Sequence, residues 1–266
     1  MAAELRDTSS LHVEELGQGE PALLLLTGWC SSHVRWELAA PLLAANRRVV
    51  LFDWRGHGDS PAAESDFGTA ELVEDALAVI AERDLGTVIP CSASHSGWVA
   101  IGLRRRLGER VPAIVHLDWM VNRPSDPYME LLAQLQSQEH WPQARDKLFE
   151  IWAAGDESPA ISAVLEVMRR QDAEMWIRSG REIEAAYEQE NSPLEALSAL
   201  EAPPKVLHIY GQPPAQEYLD SQRRFAQEHG WFDVCKLSAN THFSMIECAQ
   251  EVAGAIEELA AAVSVR

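Results

Sequence analysis

The chain has 266 residues, 47% of them hydrophobic and 24% charged, with 41 acidic against 22 basic side chains and a net charge of −19 at pH 7. That is apolar material for one sizeable core carrying an insertion, and it excludes a disordered chain. The negative balance repels phosphate backbones and anionic lipid, so neither nucleic acid nor a membrane surface is an expected partner.

Four cysteines (Cys30, Cys91, Cys235 and Cys248) are scattered, without C-x-x-C or zinc-like spacing. Free thiols and no metal site are expected. The opening Met1-Ala-Ala-Glu-Leu-Arg6 lacks the regions of a signal peptide. No apolar run approaches the roughly 20 residues that span a bilayer. A cytoplasmic protein, monomer or homodimer, is the expectation. Nine tryptophans supply large flat apolar surfaces suited to an aromatic ligand.

In chain order, Ala22–Leu26 reads as a buried strand ended by Thr27-Gly28, and a helical stretch follows around Leu42-Leu43. Arg48–Phe52 is the next strand. Ala70–Ala81 carries helical spacing in Leu72, Ala76, Val79 and Ile80. Thr87–Cys91 is a strand running into a helix over Gly97–Leu107. Ala113–Leu117, Lys205–Tyr210 and Val234–Leu237 complete the strands. Strands alternating with helices predict an α/β protein with a mostly parallel central sheet flanked by helices. Residues 121–199 contain no convincing strand, and Phe149–Ala154, Ile161–Arg170 and Arg181–Glu188 read as amphipathic helices. We expect a core from residues 1–120 and 200–266, and an inserted helical cap over 121–199.

The most specific local pattern is Ser92-Ala-Ser-His-Ser-Gly97, between a strand and a helix. A nucleophile elbow needs small residues two before and two after the reactive serine, because strand and helix backbones pass close together there. Ser94 occupies the elbow. Leu25-Leu-Thr-Gly-Trp-Cys30 follows the first strand, where an oxyanion loop belongs, so the backbone N–H groups of Trp29 and His95 are expected to face one oxygen. Asp53-Trp-Arg-Gly-His-Gly-Asp-Ser60 matches a D-x-R-G-x-G-x-S scaffold turn, with Asp53 and Arg55 as buried polar anchors. Together these patterns indicate the α/β-hydrolase fold.

His242, in a loop after the last strand, is the expected base. Asp118, at the end of Ala113–Leu117, is the expected acid, with Glu217 as its rival. His57 and His208 read as structural, and His33 as a pocket residue.

Thr27-Gly-Trp-Cys30, Asp53-Trp-Arg-Gly-His-Gly58, Ser94-His-Ser-Gly-Trp98, Leu117-Asp-Trp119 and Thr241-His-Phe243 together resemble the cofactor-independent 3-hydroxy-4-oxoquinoline 2,4-dioxygenases. Leu148–Trp152, Trp176–Arg181, Tyr187 and Asn191-Ser-Pro193 are similar to that family's cap. The resemblance runs from about Ala22 to Phe243. It implies opening of a 3-hydroxy-4(1H)-quinolone ring with O₂, releasing carbon monoxide and an N-acylanthranilate, with neither metal nor organic cofactor. His242, oriented by Asp118, would take the 3-hydroxyl proton, and Ser94 would hydrogen-bond the substrate. Trp29, His33, Trp152 and Trp176 would bind the ring. Ala93 and Ser31 depart from relatives that can carry histidine there, which fits a pocket reshaped for a 2-alkyl chain. The alternative is a serine esterase or amidase using Ser94, Asp118 and His242 as its triad. A third reading is a hydrolase-fold receptor without turnover, disfavoured because all three positions are filled.

Overall fold

Alternating side chains of buried strands must find apolar cover on both faces of a sheet, and the continuous apolar runs of this chain do so. The computed structural model describes residues 11–264; the expectation about the opening six residues lies outside them. Seven strands form one sheet in the order β1-β3-β2-β4-β5-β6-β7. They are β1 (Val13–Leu16), β2 (Ala22–Leu26), β3 (Val49–Phe52), β4 (Val88–Ala93), β5 (Ala113–Leu117), β6 (Lys205–Tyr210) and β7 (Phe232–Lys236). β1 runs antiparallel to β3, and the other pairs are parallel.

Period-two alternation divides the core. Leu24, Leu26, Val50 and Phe52 pack on one face with helices α2 (Thr69–Glu82) and α3 (Gly97–Leu107). Leu23, Leu25, Val49 and Leu51 pack on the other with α1 (Ala39–Ala44) and α11 (Ala249–Ser264). The expected strands are all present, with β4 reaching Ala93 and β7 starting two residues early. β1 was not expected, because Val13-Glu-Glu-Leu16 is an edge strand with half-exposed side chains and no apolar run.

Between β5 and β6 the described residues form helices only: α4 (Asp126–Leu135), α5 (Trp141–Ala153), α6 (Pro159–Arg169), α7 (Ala173–Glu190) and α8 (Pro193–Ser198). Proline in the first turn starts α4, α5, α6 and α8, where its missing N–H costs nothing. Asp172 caps α7 by accepting from the Met175 N–H. α9 (Gln216–Glu228) and the short α10 (Ser244–Glu247) complete the chain.

The scaffold turn after β3 is anchored as expected, through separate partners. Asp53, fully buried, accepts from the His33 ring at 2.7 Å, while Arg55 pairs with buried Asp75. Among the described residues no helix is long and apolar enough to cross a membrane.

Candidate active site

Three non-glycine residues with left-handed backbone lie at or just beyond C-terminal strand ends: Cys30 (φ 61°) after β2, Ser94 (φ 56°) after β4 and Asp118 (φ 46°) after β5. Such strain collects where side chains are held for function, and the carboxyl edge of a parallel sheet is where ligands bind.

The elbow is built by close packing. A Cβ on Gly97 would fall 2.2 Å from the Trp119 indole, so only glycine lets α3 start there. A Cβ on Gly28 would meet the Ala93 carbonyl and the Ser94 Cβ at 3.3 Å, which shows how tightly the loop carrying Trp29 lies on the elbow. The serines replacing the usual elbow glycines keep their hydroxyls satisfied. Ser92 donates to the Val115 carbonyl at 3.0 Å, and Ser96 to that of Ala93 at 2.9 Å.

His242 is fixed through its main chain. Its N–H donates to the Trp152 carbonyl and its own carbonyl accepts from Arg35 Nη2, both at 2.8 Å. Its ring stacks on Trp152 (centroids 5.2 Å apart, planes 18° apart), and Nε2 is buried with no hydrogen-bond partner. Burial first, then the Arg35 charge and His95, hold its pKa well below 6.5, so it is neutral at physiological pH.

Asp118 is 2% exposed. One carboxylate oxygen accepts from the Gly211 N–H at 2.9 Å and the other from the Ser244 N–H at 2.8 Å. Burial raises its pKa, opposed by these bonds and by Arg35. The expected hydrogen bond from the His242 ring to Asp118 is not formed among the described residues. The carboxylate is instead held by two backbone amides, while the imidazole lies flat on Trp152. Glu217, exposed in the first turn of α9, is not part of the site.

These groups open on a cavity of about 680 Å³, within the range of small-molecule sites. Ser94, His95, Asp118, Trp119 and His242 come from the sheet's carboxyl edge. The insertion contributes Tyr128, Leu148, Ile151 and Trp152. A much smaller recess of about 20 Å³ shares Ser94, His242 and Trp152, and is otherwise lined by residues including Trp29, Met168, Trp176 and Ile183.

Comparison over most of the chain shows its family. The alpha/beta hydrolase family model matches residues 23–255. The 2-heptyl-3-hydroxy-4-quinolone dioxygenase of Rhodococcus erythropolis is 35% identical over 241 residues, 90% of this chain and 86% of the relative. The 1H-3-hydroxy-4-oxoquinoline 2,4-dioxygenase of Pseudomonas putida is 35% identical over 240 residues, 90% of each chain. The chain belongs to the 3-hydroxy-4-quinolone dioxygenases of the alpha/beta hydrolase family. A solved AqdC variant in complex with its substrate, described for recognition and ring cleavage of the Pseudomonas quinolone signal, superposes with a TM-score of 0.88. It is 32% identical and covers 94% of this chain and 95% of its own.

Within these two cavities the expected residues divide. Ser94, His95, Asp118, Trp152 and His242 line the large cavity. Trp29 and Trp176 do not reach it; they wall the small recess, Trp29 stacked on Phe67 and Trp176 edge-on to Phe149. A recess of that size cannot hold a bicyclic ring. His33 is a correction: it lines neither cavity, because its ring is bound to Asp53 and packed 4.6 Å from His12.

His12, His33, Asp53 and Asp59 are the described residues close enough to hold a cation. Asp53 is already engaged there by the His33 N–H and ring and by the Asp59 N–H. His57 and His208, read from the sequence as structural, are fully buried, with burial lowering each pKa to about 4.

Sequence reasoning missed Arg35, Trp119 as a polar partner, and Tyr128. Arg35 is a lone cation in Ser31–Trp36 with no pattern to mark it, yet it is 2% exposed and braces the His242 backbone. Tyr128 lies in α4, whose helical pattern begins with Asp126-Pro127 and has no apolar run.

Proposed function

We propose that the protein is a ring-cleaving dioxygenase that opens a 3-hydroxy-4(1H)-quinolone, unsubstituted or 2-alkylated, with O₂. His242 takes the 3-hydroxyl proton, and the resulting electron-rich anion reduces O₂. The two oxygen atoms end on ring carbons C2 and C4, and C3 leaves as carbon monoxide with its own oxygen. An N-acylanthranilate remains, and the atoms balance without a further oxidant or reductant.

The observation that carries this reading is the neutral imidazole of His242 on the wall of a cavity sized for a bicyclic ring. A general base needs a free lone pair facing the proton it removes. The whole-length likeness to quinolone dioxygenases supports the substrate class. The serine-hydrolase alternative needs Ser94 activated by His242, and no hydrogen bond joins them among the described residues.

In this reading Asp118 keeps negative charge near the base, and Ser94 hydrogen-bonds the substrate. The N–H of His95, on the cavity wall, receives oxyanion charge, a role the recessed Trp29 does not share. Among the described residues, 11–120 and 200–264 act as the core, and 121–199 as a lid whose apolar side chains exclude water and hold a C2 substituent.

The test is to offer purified protein a series of 3-hydroxy-4(1H)-quinolones with C2 hydrogen, methyl or heptyl, in air and under nitrogen. Oxygen uptake with equimolar carbon monoxide is expected in air alone. Ester or amide hydrolysis without oxygen uptake would overturn the reading.

A further inference from the structure

A hydrogen-bond relay runs from Trp119 through His95 to Tyr128, and its direction is fixed by chemistry. The Trp119 indole Nε1 can only donate, and it lies 3.1 Å from His95 Nδ1. Nδ1 is therefore an acceptor and carries no proton. Burial lowers the His95 pKa to about 3, so the ring is neutral and its single proton sits on Nε2. That nitrogen is 2.9 Å from the Tyr128 hydroxyl, which must accept from it. The Tyr128 proton cannot point at His95, and no other protein acceptor meets it among the described residues. The tyrosine lines the large cavity beside Ser94, Asp118 and His242. Burial raises its pKa, so the proton stays on.

We propose that Tyr128 is the obligatory hydrogen-bond donor to the substrate, its O–H directed by Trp119 and His95 onto the 4-oxo oxygen. The assignment rests on the function proposed above. In a 3-hydroxy-4-oxo ring the 3-hydroxyl must face His242. The 4-oxo oxygen is the remaining strong acceptor, and it shares the negative charge once that proton has gone. A hydrogen bond to a charged oxygen is stronger than one to a neutral oxygen. Tyr128 therefore favours the anion over the neutral substrate, and it selects ligands with an acceptor beside the ionising hydroxyl.

The experiment uses full-length protein carrying Tyr128→Phe, Trp119→Phe and the pair. Two readouts are needed: steady-state oxygen uptake, and the ionisation midpoint of bound substrate followed by ultraviolet absorbance under nitrogen. Tyr128→Phe should lower kcat/KM about tenfold and raise the bound substrate's midpoint by about one pH unit. Trp119→Phe frees His95 to shift its proton to Nδ1 and accept from Tyr128, so it should give part of both effects. Added to Tyr128→Phe, it should give little more. A folded Tyr128→Phe enzyme with unchanged kcat/KM and an unchanged midpoint overturns the relay while leaving the dioxygenase reading intact. A parent protein that neither binds nor oxidises the quinolones overturns both.

Discussion

The imidazole of His242 lies face to face with the indole of Trp152, 5.2 Å between ring centres, and the His242 N–H is bonded to the Trp152 carbonyl. One residue of the helical insertion thus positions His242 of the sheet domain by ring and by backbone. The insertion and the catalytic edge are mechanically joined at this point.

Trp152→Ala removes the ring and keeps the backbone bond. Aromatic pairs contribute about 0.5–1.5 kcal/mol beyond area burial, which corresponds to a factor of up to about ten. Substrate affinity and kcat should both fall, with a small change in Tm because the side chain is half-buried. Calorimetric binding under nitrogen, alongside thermal melts, checks this. A sharp drop in Tm with unchanged affinity would make Trp152 a packing residue.

Replacing Ser94, Asp118 and His242 in turn by Ala ranks their roles. His242→Ala should lose several orders of magnitude in kcat/KM and recover partly as pH rises, since solvent then ionises the substrate. Ser94→Ala should lose about tenfold, the worth of one hydrogen bond. Asp118→Ala should fall between them and also lower Tm, because the Gly211 and Ser244 amides lose their acceptor. A folded, substrate-binding Ser94→Ala variant without any turnover contradicts this order.

The proposed chemistry draws its electrons from the substrate anion, so exhaustive treatment with chelators should leave the activity unchanged. Metal analysis of the treated protein and an oxygen-uptake assay decide it. Loss of activity restored by one metal ion per chain would count against the mechanism.

Acid should destabilise the protein from about pH 6.5 downward. His57, His95, His116, His208 and His242 all have pKa values depressed first by burial. Unfolding restores them to 6.5, so below that pH the unfolded chain binds more protons than the native one. Stability is therefore complete above pH 6.5 and falls as pH drops toward about 4, where His57 and His208 titrate in the fold. Each such histidine costs about 1.4 kcal/mol per pH unit in this window. Asp118, with its raised pKa, acts in the opposite sense as a single group. Circular dichroism with denaturant titrations should show stability falling as pH drops from 6.5 toward about 4. A stability unchanged across that window would refute it.

Much of this architecture was written locally. Ala22–Leu26 and Ala113–Leu117 are continuous apolar runs because both sheet faces are covered, and Ser92–Gly97 declares an elbow because only small residues fit between strand and helix. His242 could be placed at the cavity because chain order sets it after the last strand. β1 was not legible, since an edge strand with charged neighbours has no apolar signature, and α4 began without one.

Tertiary structure alone decided three matters. Arg35 and His242, 207 residues apart, meet through a backbone carbonyl that no side-chain pattern encodes. His33 turned to Asp53 and left the cavity, because a buried carboxylate seeks the nearest donor. Trp119 and Tyr128 became a directed relay once folding brought both to His95. A tryptophan in sequence is only a large apolar side chain, and its N–H acquires direction only from the acceptor the fold sets opposite it.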